Sequence, residues 1–272
     1  MSLPIYRTIS NLSIDVALGA VITSAFLASV LNVHVDSITY IVLGCVVWSI
    51  YTFDHLLDAK KVKGNISLMR YEFHRNHFNM LSIALALSLM VTSILIFYLP
   101  GKILLLGTVL GLMVIVYFIT VHLSPGRKVY HKEITAALVY FSGTLIGPLG
   151  SFEEAIEIKH IQLLICYFIL IILNLVIFSN FDKAADESND FPSIYRVIDN
   201  KKVRYGIVSL SLIFLFLLTN VYFNFGGFTA ILLLLMFAVL EAIYLFANHP
   251  TMVKYYRVLG DGIFLLPVLY FL

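Results

Sequence analysis

Apolar residues run along this chain in long stretches, and polar residues gather in the short segments between them. Nine stretches approach the roughly 20 residues that carry a helix across a bilayer. They cover 13–33, 38–57, 80–99, 103–123, 134–152, 161–181, 205–223, 228–247 and 258–272. With lipid outside, a spanning segment must satisfy its own backbone hydrogen bonds. Runs this long and rich in Leu, Ile, Val and Phe do so as helices rather than barrel strands. The pattern predicts an all-α integral membrane protein, a bundle of nine transmembrane helices forming one domain over 1–272. The first stretch follows Arg7, but it is longer than the apolar core of a signal peptide, so it is read as a span.

Basic residues set the expected orientation. With the N-terminus in the cytoplasm, sixteen of the 18 Lys and Arg fall on the inner side, and only Lys102 and Lys159 fall outside. That asymmetry is the positive-inside pattern, and a wrong helix count would scramble it. The expected location is therefore a multi-pass protein of a bacterial inner membrane, with its C-terminus outside. Two inner connections are long, 59–79 and 183–204. They mix charge with aromatic residues such as Phe73, Phe191 and Tyr195, so they are expected to cap the bundle at that face.

Composition supports the same picture. Hydrophobic residues make up 60% and charged residues 12% of the 272, about half the charge a soluble domain needs to cover its surface. The net charge of +2 carries no basic stripe and gives no sign of nucleic-acid binding. Cys45 and Cys166 both sit mid-stretch and are read as small core residues rather than a disulfide.

The chemistry concentrates at two helix ends. Asp54 and Asp58 close the second stretch, and Asp182, Asp186 and Asp190 follow the sixth. A spacing of four residues puts each set on one helix face, with carboxylates about 6 Å apart along the axis. Like charges so placed repel, and near lipid they are poorly hydrated. Hard divalent cations would offset them: Mg²⁺ binds through one or two carboxylates and completes its shell with water and phosphate oxygens. A diphosphate could bridge such ions. The plainer reading is a pair of solvated helix ends. Two clusters four helices apart at one face also suggest two parallel four-helix units plus a ninth helix.

These residues resemble the UbiA superfamily of intramembrane prenyltransferases, whose nine helices carry two aspartate-rich motifs after the second and sixth. Asp54 and Asp58 match the last two acids of the family's N-D-x-x-D-x-x-x-D motif. Asp182, Asp186 and Asp190 match all of D-x-x-x-D-x-x-x-D, and 191–198 is similar to the family's run into the seventh helix. The leading Asn and Asp of the first motif are here Ile50 and Tyr51.

The resemblance implies a central cavity beneath the inner-face caps, probed by a prenyl diphosphate and a hydrophobic aromatic or lipid acceptor. Two Mg²⁺ ions held by Asp54, Asp58, Asp182 and Asp186, with Asp190 as a further ligand, would draw off the diphosphate and leave an allylic cation for the acceptor. Arg70, Arg75, Lys132 and Lys201 are the expected diphosphate contacts. Tyr51, Tyr140 and Phe178 are expected in the pocket wall, with Asn174 two turns before Asp182 on roughly the same face. Asp15, Glu241 and Asp261 lie near inner helix ends, as functional groups or as partners of a cation such as Arg257. A terpene cyclase of the same superfamily, a transporter and a non-catalytic scaffold are the competing functions. The acceptor, the prenyl length and the oligomeric state stay open.

Overall fold

The computed structural model describes residues 8–61, 69–122, 132–189, 191 and 193–272, and every element among them is helical. In chain order these are α1 (Ile14–Val30), α2 (Ser37–Lys61), α3 (Met69–Asn76), α4 (Phe78–Leu95), α5 (Gly101–His122) and α6 (Lys132–Ser151). Then come α7 (Ile158–Ser188), α8 (Ile194–Val197), α9 (Asn200–Phe225), α10 (Gly227–Leu245) and α11 (Pro250–Gly262), which runs on as a 3-10 segment, Ile263–Phe271. Among the described residues, seven helices are long and apolar enough to cross a membrane: α2, α4, α5, α6, α7, α9 and α10. The chain is a multi-pass integral membrane protein.

The two remaining expected spans differ from that seven for physical reasons. Helix α1 is apolar but has 17 residues. The last stretch is not one α-helix. Pro267 cannot donate to the carbonyl four residues back, and its ring crowds that carbonyl. The position four back is Ile263, where the α-helix gives way to 3-10 geometry.

Helix α7 is the axis of the bundle. Leu163, Cys166, Tyr167, Leu170, Leu173 and Ile177 have no exposure at all, and α6, α9, α10 and α11 pack around them. The outer helices bury less. Helix α4 buries only Leu81 and Thr92, and it turns Ile83, Leu87 and Ile94 outward to where lipid lies. Both cysteines are free: Cys166 is buried and Cys45 half-buried.

Two helices outrun the expected spans at the end that carries the acids. Helix α2 continues to Lys61 and α7 to Ser188. The residues beyond the apolar runs include Ala59, Ala184 and Ala185, the best helix former there is, and nothing in them breaks the ladder. Asp186, which fell within the expected connection 183–204, therefore shares a continuous helix with Asp182, as Asp58 does with Asp54. Of the expected caps, α3 fills part of the first and α8 part of the second.

Candidate active site

A cavity of about 560 Å³ opens among α2, α5, α6 and α7 and is completed by α11. On α2 its lining runs from Thr39 to Asp58, about 28 Å of helix and so close to the hydrocarbon thickness of a bilayer. Most of the shaft is apolar. Gly107 and Gly111 border it from α5, and a Cβ added at either would meet no atom within 4 Å. Near the acidic end Phe53 of α2 meets Phe118 of α5 edge to face, with ring centres 5.2 Å apart.

The acidic end brings both clusters together. Asp54, Asp58, Asp182 and Asp186 all line this cavity, as do Glu133 and Asp261. Against these six carboxylates the described residues set two cationic side chains in the lining, Lys132 and Arg257. An anion entering such a field would need added positive charge beside it.

Asp182 is held through both of its oxygens. Its two oxygens accept from different groups: Tyr256 Oη donates to Oδ1 and the Arg257 guanidinium to Oδ2. Arg257 Nε also donates to Tyr256 Oη at 3.0 Å. The guanidinium carbon lies 5.4 Å from the ring centres of both Phe178 and Tyr256, and Tyr256 stacks on Phe181 at 4.3 Å. This cage depends on how closely α11 approaches α7. Gly260 lies one turn after Arg257, and a Cβ there would sit 2.4 Å from Phe178 and 2.5 Å from Asn174 Oδ1.

Glu133 opens the first turn of α6 and is buried. Its Oε1 accepts from Ser179 Oγ at 2.7 Å and from the backbone N–H of Ile194, at the start of α8, at 2.9 Å. No hydrogen-bond partner reaches its Oε2 among the described residues. Ser179 precedes Asp182 by three positions and Asp186 by seven, so the three share one face of α7. Glu133 thus ties the second cap to the bundle about one turn below the acids.

The other expected residues fall as follows. Tyr51, Tyr140, Phe178 and Lys132 line the cavity, and no partner reaches the Tyr140 hydroxyl among the described residues. Asn174 is buried behind Gly260 and is not in the lining. Arg75 and Lys201 are exposed and do not line the cavity. The face of α3 that turns inward carries His74, whose ring packs 4.9 Å from His55. Lys201 instead donates its backbone N–H to Asp199, the cap of α9. The Arg70 side chain and Asp190 lie outside the described residues. Asp15 is buried and accepts from Val16 N at 3.0 Å, and Glu241 accepts from Ser211 Oγ at 2.6 Å.

Among the described residues no three His, Cys, Asp or Glu side chains come close enough to cage an ion. The arrangement suits a hard cation that takes one or two carboxylates and completes its shell with phosphate oxygens.

This helix order occurs in a known architecture. A UbiA homologue from Aeropyrum pernix K1 superposes with a TM-score of 0.63, over 95% of this chain and 98% of that one, at 14% identity. The chain has the UbiA fold. A digeranylgeranylglyceryl phosphate synthase gives a TM-score of 0.56 at 15% identity, covering 96% of each chain. No protein-family model matches the sequence, and no curated protein matches it. The likeness to UbiA proteins is therefore one of fold.

Proposed function

We propose that this chain is a Mg²⁺-dependent intramembrane prenyltransferase, moving a prenyl group from its diphosphate to a hydrophobic aromatic or lipid acceptor. The observation that carries the reading is one cavity with two ends of opposite character. Four aspartates from two separate helices meet at one end, and an apolar shaft leads away from them through the bundle. A prenyl diphosphate has the same division.

In this reading Asp54 and Asp58 on α2 and Asp186 on α7 hold the metal, with Asp182 beside them. Bound Mg²⁺ supplies positive charge that stabilises the departing diphosphate. Lys132 contacts the diphosphate from the first turn of α6. The C–O bond breaks with its electron pair on the diphosphate, and the allylic carbon is left facing Tyr51, Phe178 and Tyr140. Aromatic faces favour a cation electrostatically, and the apolar shaft keeps water from it. The inner face is cytoplasmic, and α1 and the last segment complete nine crossings.

The test is release of diphosphate. Purified protein given labelled prenyl diphosphates of graded length and Mg²⁺ should liberate diphosphate, and Asp54→Asn and Asp58→Asn should cut the rate at least a hundredfold while the protein still purifies folded. No release with any chain length sinks the enzyme reading. A product without acceptor atoms would replace transfer by cyclisation.

A further inference from the structure

We propose that Arg257 takes the place of one metal ion, so that this site binds its diphosphate with a single divalent cation and a fixed guanidinium. The inference rests on the prenyl-diphosphate reading above and deepens it.

Two observations on opposite sides of the cavity lead there. On the α7 side, both oxygens of Asp182 are already engaged, one by Tyr256 Oη and one by Arg257. This is not a loose surface pair. The guanidinium lies against Phe178 and Tyr256, and Tyr256 is itself stacked on Phe181 and bonded to Asp182. The close approach at Gly260 fixes the backbone that carries it. On the α2 side, Asp54 and Asp58 are the acids in the lining, and the lining positions one turn before Asp54 are Ile50, which has no oxygen to offer, and Tyr51, which has only a neutral phenol.

A divalent cation placed on Asp182 would face the guanidinium across one carboxylate, and the two would repel. With the cage intact, the remaining carboxylates serve one ion. Arg257 then supplies the second positive centre. A guanidinium stays charged at any physiological pH, and its planar fork of N–H donors matches phosphate oxygens bidentately. Both Arg257 and Asp182 line the cavity, so the fork borders the space that the diphosphate would fill. Asp182 becomes a positioning residue, which aims the guanidinium, rather than a metal ligand.

The test counts ions without needing turnover or an acceptor. Full-length protein in nanodiscs is loaded with prenyl S-thiolodiphosphates of graded length, which are unreactive analogues, and titrated with Mn²⁺ followed by electron paramagnetic resonance. The wild type should bind one Mn²⁺ per chain. Arg257→Gln should weaken analogue binding about tenfold at low Mn²⁺, and high Mn²⁺ should restore it as a second ion enters beside the released Asp182. Arg257→Lys keeps the charge without the fork and should weaken it severalfold, which also covers the case in which the glutamine variant fails to fold. Two Mn²⁺ in the wild type with analogue bound, or unchanged binding at low Mn²⁺ in Arg257→Gln, overturns the single-ion site and leaves the prenyltransferase reading standing. A wild type that binds no analogue with or without Mn²⁺ removes both.

Discussion

Gly260→Ala tests the architecture that holds the cage. The added Cβ would lie 2.4 Å and 2.6 Å from two ring carbons of Phe178 and 2.5 Å from Asn174 Oδ1. Carbon atoms rest about 3.5–4.0 Å apart, so α11 and α7 must separate by roughly 1 Å. Phe178 and Asn174 are both buried and have little room to withdraw. Overpacking of this kind costs about 3 kcal/mol at its upper end, and replacing a helical glycine by alanine returns about 1 kcal/mol. A net loss of about 2 kcal/mol follows. Because Arg257 lies one turn before Gly260, the same displacement pulls its guanidinium from Asp182. Two assays read this out: thermal unfolding in detergent micelles, and prenyl-diphosphate turnover at fixed Mg²⁺. Both should fall. Gly206→Ala on α9 is the control, since a Cβ there meets nothing within 4 Å, and it should be neutral or slightly stabilising. A Gly260→Ala protein that melts with the wild type and turns over normally refutes the close approach and the cage built on it.

Substitutions at two further positions probe other parts of the cavity. Glu133→Ala leaves the Ser179 hydroxyl and the Ile194 N–H without their acceptor and should destabilise by about 1–3 kcal/mol; Glu133→Gln keeps an acceptor oxygen and should melt near the wild type, and equal melting of all three proteins would show that this tie carries no stability. Gly111→Leu extends into open shaft, so folding should hold or improve by about 0.5–1 kcal/mol, while turnover of long prenyl diphosphates should drop more than that of short ones; an unchanged chain-length profile in a competition assay would mean that the tail lies elsewhere.

The parts of this structure that were readable in sequence are those that lipid dictates. Apolar runs of span length had to become helices, and α2, α4, α5, α6, α7, α9 and α10 lie where such runs lie. Spacing alone also put Asp54 with Asp58, and Asp182 with Asp186, on common faces. Other features depended on contacts that no periodicity encodes. Helix α3 has eight mostly polar residues, too few apolar ones to say which side turns inward, and it is His74 rather than Arg75 that meets the bundle. Glu133 becomes legible only once Ser179 and Ile194, from two other helices, arrive beside it. Arg257 is separated from Asp182 by three helices in sequence, and Gly260 is the one local hint that its helix packs closely on something. The extension of α7 past Phe181 was carried by Ala184 and Ala185, whose helix propensity outweighed the charges around them.

Helix α7 has 31 residues, about 46 Å in length against a hydrocarbon layer of about 30 Å. Its acids therefore stand on a rigid mast rooted in the bundle core, and their bearing is set by every residue beneath them. One residue inserted between Leu163 and Ile177 would swing Asp182 and Asp186 about 100° around the mast. Seven residues removed would nearly keep the bearing but lower both acids by about 10 Å into the shaft. Side chains along the lipid-facing flank of this helix are free to drift in evolution, whereas its residue count is not.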